Sequence, residues 1–233
     1  MKYHLVAFCS HNYQHAMESS MPSWLASDAE TINVYMDGWD TQAYTGVTTY
    51  PIFQPCNDRG VNCVRKSEAL LRFCADNTDK RHVVMLDVDC YILGNLMDAF
   101  CVYGQFDVAV TVYKNLKQKH RLKNVSAGAL FIRNTPQTRR FLRQWIMDQQ
   151  SDCYQTPCRD QKCLSLLLHR NPLELNIKQL DYNIWNAHAN PTVLKTDNNP
   201  MGWLENLDEH CRVLHLARGL WKNKELVERF VYG

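Results

Sequence analysis

Asp87 and Asp89 stand two residues apart at the end of the apolar run Val83-Val84-Met85-Leu86. A run of that length reads as a buried strand. On an extended backbone, residues two apart point to the same side, so the strand would deliver both carboxylates to one point at its C-terminal edge. Two hard oxygen ligands aimed together suit Mg²⁺ or Mn²⁺, and that ion would in turn hold a diphosphate. Open α/β sheets bind ligands at the carboxyl ends of their strands, where this pair would sit. The competing reading is a strand end whose acids merely cap the next turn. Asp-x-Asp is common, so other segments must decide.

Three later segments bear on it. Ser126-Ala127-Gly128 precedes the apolar Ala129–Ile132, and small residues there would let a ligand approach the backbone closely. Arg159-Asp160-Gln161 stands ahead of the apolar Leu164–Leu168. An acid and an amide at a helix N-terminus either cap it or face a ligand. Val213-Leu214-His215 is a short apolar strand ending in a candidate nitrogen ligand for the same metal, and Arg218 or Lys222 would hold phosphate.

The surrounding pattern alternates strands and helices. His4–Cys9 and Thr31–Met36 read as strands, with a helix between them over Asn12–Ser27. Residues 38–61, rich in Gly, Thr, Pro, Tyr and Asn, read as a long loop. A helix over Val64–Asn77 leads into the Asp87 strand. Phe106–Val112 and Ala129–Ile132 read as strands, Thr135–Met147 and Asp160–Leu168 as helices, and Arg212–Leu216 as a late strand. Alternation of this kind implies α/β architecture with a mainly parallel central sheet covered by helices on both faces. At 233 residues without an internal repeat or clear linker, the expectation is a single domain.

Composition excludes other classes. A net charge of +2 argues against a general nucleic-acid binder, which would be strongly basic. No apolar run approaches the roughly 20 residues needed to span a bilayer. The segment Met1–His11 has too short an apolar core for a signal peptide and lacks a small-residue cleavage site, so the expectation is a cytoplasmic protein with at most peripheral membrane contact. The ten cysteines contain no Cys-x-x-Cys pair, so free thiols are the default reading. A disulfide between Cys153 and Cys158 stays open if the chain meets an oxidising compartment.

In order, Leu86-Asp87-Val88-Asp89, Ser126-Ala127-Gly128, Asp160-Gln161 and His215 through Lys222 resemble the segments of a nucleotide-sugar glycosyltransferase of the GT-A fold. The pattern is most similar to the retaining, metal-dependent glycogenin and galactosyltransferase-like group. The resemblance implies a single Rossmann-like GT-A domain over residues 1–233, with nucleotide binding in about 1–100 and acceptor and sugar binding in about 101–233. It implies Mn²⁺ or Mg²⁺ on Asp87, Asp89 and His215, and a nucleotide-diphosphate sugar as donor. Asp160 and Gln161 would lie beside the transferring sugar. Ser10 and Asp37 would line the base and ribose pocket, Lys66 would reach donor phosphate or sugar, and Lys222 would contact the diphosphate. The family commonly carries Asn where Ser126 stands, which alters a hydrogen bond to sugar or acceptor. Its closing segment reads His-x-x-Gly-x-x-Lys, whereas Gly219 is four residues past His215 and no Pro-Trp follows Lys222. Arg218 is therefore a rival for the phosphate.

The expected reaction moves a sugar to a glycan, lipid-linked or other hydroxyl acceptor, with retention. An inverting enzyme would need a base on that hydroxyl, with Asp160 first in line. The cationic segment Lys114–Lys123 would make a flap receiving an anionic acceptor, against the plainer reading of a solvated loop. Two other classes compete. A haloacid-dehalogenase-type phosphatase also uses Asp-x-Asp after an apolar strand, but Tyr91 stands where Thr or Val is usual, and about eighty residues precede the motif. A non-catalytic glycan- or nucleotide-binding module on the same fold is the other.

Overall fold

The computed structural model describes residues 1–38, 44–112, 125–151, 159–188, 207–216, 220–222 and 227–228. The strands are β1 (His4–Cys9), β2 (Thr31–Asp37), β3 (Val47–Phe53), β4 (His82–Leu86), β5 (Cys90–Ile92), β6 (Val108–Val112), β7 (Val125–Arg133), β8 (Ile177–Leu180), β9 (Ala187–His188) and β10 (Val213–His215). The helices are α1 (Gln14–Leu25), α2 (Arg59–Asp76), α3 (Asp98–Val102), α4 (Pro136–Gln150), α5 (Arg159–Arg170) and α6 (Tyr182–Trp185).

Seven strands form one mixed, mainly parallel sheet in the order β3-β2-β1-β4-β7-β6-β8. β7 is the exception, antiparallel to both β4 and β6. Period-2 alternation sends each strand's side chains to two cores. Leu5, Ala7, Val84, Leu86 and Phe131 pack with Met17 and Trp24 of α1 and Phe100 of α3. Val6, Phe8, Val83, Met85 and Leu130 pack with Phe73 of α2, Trp145 of α4 and Leu164 of α5. Strands buried on both faces read as largely unbroken apolar runs, which is why β1 and β4 are legible in the sequence. The chain therefore has the α/β class expected of it, a mainly parallel sheet with helices on both faces.

Two departures from the sequence reading have physical causes. β3 lies inside the stretch read as a loop; it is an edge strand, only partly buried, and carries Pro51. Proline is tolerated at a sheet edge, and half-exposed Thr and Tyr mask the apolar signal. β7 begins four residues earlier than its apolar run suggests, so Ser126-Ala127-Gly128 lies within the strand. There Val110 pairs with Leu130 but Thr111 pairs with Ser126, a register jump that inserts extra residues into β7. Such a bulge re-aims side chains. Ala129 and Phe131 face the α1 core, whereas Ala127 and Val125 face the α2 core.

A second sheet, β5-β10-β9, sits against the α1 side. β5 and β10 are antiparallel, with His215 directly opposite Cys90. This small sheet brings the late strand back over the end of β4.

Candidate active site

β4 ends at Leu86, and Asp87-Val88-Asp89 then turns instead of continuing as extended chain. The Asp87 N–H donates to the Gly128 carbonyl at 2.8 Å, and the Cys90 N–H donates to the Asp87 carbonyl at 3.0 Å. Helix α1 pins this turn from outside: Ser20 Oγ donates to the Val88 carbonyl at 2.7 Å and Trp24 Nε1 to the Cys90 carbonyl at 2.8 Å. The two carboxylates thus converge by a turn, not by the pleat of a strand.

They converge on His215. Its Nε2 lies 3.0 Å from Asp89 Oδ1 and 4.0 Å from Asp87 Oδ2. Its Nδ1 lies 3.2 Å from the Oδ1 of Asn186. That oxygen can only accept, so Nδ1 carries the hydrogen and Nε2 faces the acids. Asn186 is itself held, its Nδ2 donating to Ser126 Oγ at 2.7 Å and to Thr111 Oγ1 at 3.3 Å. A histidine whose second nitrogen donates to a fixed acceptor is the usual arrangement for a metal ligand. Asn186 and Thr111 carry no mark in the sequence; only the fold brings them under His215.

Lys66 of α2 completes the cluster. Its ammonium lies 2.5 Å from Asp87 Oδ1 and 3.4 Å from Asp160 Oδ2, bridging Asp87 and the acid at the start of α5. Burial opposes its charge, yet Asp87 and Asp160 outweigh that and hold Lys66 protonated well above the ordinary lysine range. Burial raises Asp87 despite Lys66 and His215. Burial also acts on Asp89, but the facing His215 overcomes it and holds that carboxyl below its usual range. Burial would lower His215, but its hydrogen-bonded neighbours Cys90 and Asp89 outweigh that and the ring titrates well above an ordinary histidine. Burial raises the Cys90 thiol above its usual range.

The remaining sequence candidates fall in three groups. Asp160 is buried in the first turn of α5, and Gln161 beside it is partly exposed. Ser10 and Asp37 sit together at the ends of β1 and β2; β1 is next to the Asp87 strand and β2 is one strand further out. Asp37 is fully buried and accepts from the His11 backbone N–H at 2.5 Å, with His11 Nδ1 at 3.2 Å and Arg65 at 3.6 Å. Lys222 lies in a 3₁₀ turn with its ammonium 5.3 Å from the centre of the Trp221 ring. Arg218 and the cationic segment Lys114–Lys123 lie outside the described residues, as do Cys153 and Cys158. The other eight cysteines are free thiols.

Ser126 and Gly128 are placed differently from a ligand-facing strand end. Ser126 is fully buried and accepts from Asn186, and a side chain on Gly128 would sit 2.7 Å from the His215 ring. The close approach that Gly128 permits is that of His215.

A family model described as nucleotide-diphospho-sugar transferase matches residues 58–220, the span that carries every residue of this cluster. The chain belongs to the nucleotide-diphospho-sugar transferase family. Its solved structural relatives are glycosyltransferases. One is involved in the glycosylation of the major capsid of PBCV-1: TM-score 0.63, 8% identity, 98% of this chain and 100% of that one. Another is glycosyltransferase GlyE of Streptococcus pneumoniae: TM-score 0.66, 16% identity, all of this chain and 61% of GlyE. Identities this low establish the fold alone, and the chain spans less than two thirds of GlyE. No curated protein matches the chain by sequence. Family and fold together make this transferase a glycosyltransferase with a nucleotide-sugar donor, and they set aside the phosphatase alternative. Among the described residues no helix is long and apolar enough to cross a membrane.

Proposed function

We propose that this transferase moves a hexose from a nucleotide-diphosphate sugar to a hydroxyl on a glycan or lipid-linked acceptor, with retention, using Mn²⁺ or Mg²⁺ held by Asp87, Asp89 and His215. The observation that carries the reading is the aim of His215: Nδ1 is committed to Asn186, and Nε2 faces the acids, 3.0 Å from Asp89 and 4.0 Å from Asp87. Two carboxylates and one imidazole suit Mn²⁺, and the carboxylates alone suit Mg²⁺. Bound there, such an ion would supply positive charge against the departing diphosphate.

The protein's own groups do the rest. Lys66 links the metal acid to Asp160, so it fixes the distance between the diphosphate end and the sugar end of the site. Asp160 and Gln161, at the N-terminus of α5, hold the sugar hydroxyls and stabilise positive character at the anomeric carbon. Ser10 and Asp37 flank the base and ribose. Lys222, or Arg218, meets the diphosphate. Residues 1–100 serve the nucleotide and 101–233 the sugar and acceptor, within one domain.

A calorimetric screen of nucleoside diphosphates and nucleotide sugars, with and without Mn²⁺, tests this. Binding that needs the ion and is lost in Asp89→Asn supports it; tight binding indifferent to chelation sinks the metal assignment. Product analysis tests retention. A β-linked product from an α-linked donor would overturn it and promote Asp160 to acceptor base.

A further inference from the structure

Cys90 follows Asp89 directly and faces His215 across the β5–β10 pair in register. Residues directly opposite on antiparallel strands have their β-carbons about 4.5–5.5 Å apart on one side of the sheet. A carboxylate oxygen of Asp89, the Cys90 sulfur and a ring nitrogen of His215 all lie within 4.8 Å of one another, and all three residues are buried. The Cys90 thiol donates weakly to the Gly128 carbonyl at 3.5 Å and is also hydrogen-bonded with the His215 ring.

A carboxylate, a thiol and an imidazole converging on one point are not a hard-ion set. Mg²⁺ and Mn²⁺ gain nothing from sulfur, whereas Zn²⁺ binds Cys, His and Asp together. Tetrahedral zinc, with bonds of about 2.0–2.3 Å, needs ligand atoms roughly 3.3–3.8 Å apart. Asp89 Oδ1 and His215 Nε2 are already 3.0 Å apart, and the sulfur lies within 4.8 Å of a ligand atom on each. The Asn186 acceptor on Nδ1 is the outer support a zinc-bound imidazole requires.

We infer that Asp89, Cys90 and His215 form a thiolate-bearing site for Zn²⁺, overlapping the hard-ion position and therefore exclusive with it. Binding replaces the thiol proton by the metal, releasing one proton and forming a Zn–S bond, with no redox change. Asp87 or water completes the four-coordinate shell. Zinc in this site draws the sulfur and nitrogen ligands inward and occupies Asp89 and His215, so it inhibits sugar transfer rather than supporting it. The inhibition rests on the hard-ion reading above; the zinc site itself does not.

The test uses the full metal-depleted chain and Co²⁺ as a visible substitute for Zn²⁺. One equivalent should produce a near-ultraviolet thiolate-to-cobalt band and intense visible bands of tetrahedral geometry, both erased by one equivalent of Zn²⁺. In Cys90→Ser the charge-transfer band should vanish and zinc affinity fall at least about tenfold, since losing even an outer partner costs that much. Manganese affinity should fall less, so the zinc-over-manganese preference collapses. A full-strength band in Cys90→Ser overturns the inference. Should that variant fail to fold, zinc-edge X-ray absorption of the unaltered chain at one equivalent decides. One sulfur at about 2.3 Å supports the site, and an all-nitrogen-and-oxygen shell overturns it. Mn²⁺ binding is measured beside these. If manganese binds and zinc ignores Cys90, only this inference fails; if zinc binds through Cys90 and manganese does not bind, only the hard-ion reading fails.

Discussion

The ammonium of Lys66 lies 2.5 Å from Asp87, so the first acid of the pair is shared between a protein cation and the metal proposed for it. The same ammonium reaches Asp160 at 3.4 Å, which couples the two ends of the site through one buried charge. A lysine in this position neutralises acids that would otherwise repel each other, and a bound ion takes over part of that role.

Lys66→Met is therefore expected to destabilise the metal-depleted protein by about 3–5 kcal/mol, the cost of leaving buried charge uncompensated. Because Mn²⁺ supplies positive charge to the same acids, it should raise the melting temperature of Lys66→Met more than that of the parent. Equal metal-induced shifts in both proteins would show that Lys66 and the ion do not share Asp87.

Asp89→Asn and His215→Ala should separate by their manganese dependence. Asp89→Asn removes a charged ligand and leaves His215 facing a neutral amide, so most transfer activity should go while the circular dichroism stays native. His215→Ala removes a neutral donor, so activity should return at higher Mn²⁺. A His215→Ala enzyme saturating at the parent's manganese concentration would remove His215 from the ligand set.

How much of this was legible in the sequence follows from what each signal depends on. The Asp87 strand and β1 announce themselves because strands buried on both faces leave largely uninterrupted apolar runs. Asp87, Asp89, Lys66, Asp160 and His215 were all named from local pattern or family resemblance, and the fold brings them into one cluster. What local pattern missed is what long-range pairing creates. Asn186 sits 29 residues from His215 and 60 from Ser126, and nothing about an Asn after Trp185 foretells that it orients a histidine. Ser126 and Gly128 stand out in the sequence as small residues ahead of an apolar run; in the fold Ser126 accepts from Asn186, and the space beside Gly128 is filled by the His215 ring.

Acidification should loosen the fold through His82 and His4. Burial lowers the proton affinity of His82, and Arg133 adds to the effect; burial likewise lowers His4, against a partial pull from Glu30. Both rings are buried near the start of their strands. Below about pH 6.5 the unfolded chain gains protons that these folded rings resist, so stability falls as pH falls through the ordinary histidine range. His215, raised in the folded state, pulls the opposite way, so the parent alone is a poor gauge. The difference in urea midpoint between the parent and His82→Gln isolates the effect. The parent's advantage should shrink on acidification, and a constant difference across that range would exclude His82.

Gly128→Ala is the sharpest probe of how the site is built. An added β-carbon would lie 2.7 Å from both Cε1 and Nδ1 of His215, and 3.4 Å from Asn186 Nδ2. The neighbour is a buried ring held at both nitrogens, so it cannot swing aside as the tip of a flexible chain would. Relief must come from moving β10 or from breaking the His215–Asn186 bond. Overpacking of this kind costs about 1–3 kcal/mol. The more telling outcome is functional: His215 loses its orientation, and manganese affinity should fall toward that of His215→Ala although no ligand has been removed. Restoring space by also changing Asn186→Ala should recover stability without recovering the metal, because the ring then has room but no acceptor for Nδ1. If Gly128→Ala binds manganese as tightly as the parent, the close contact between Gly128 and His215 does not set the ligand's position.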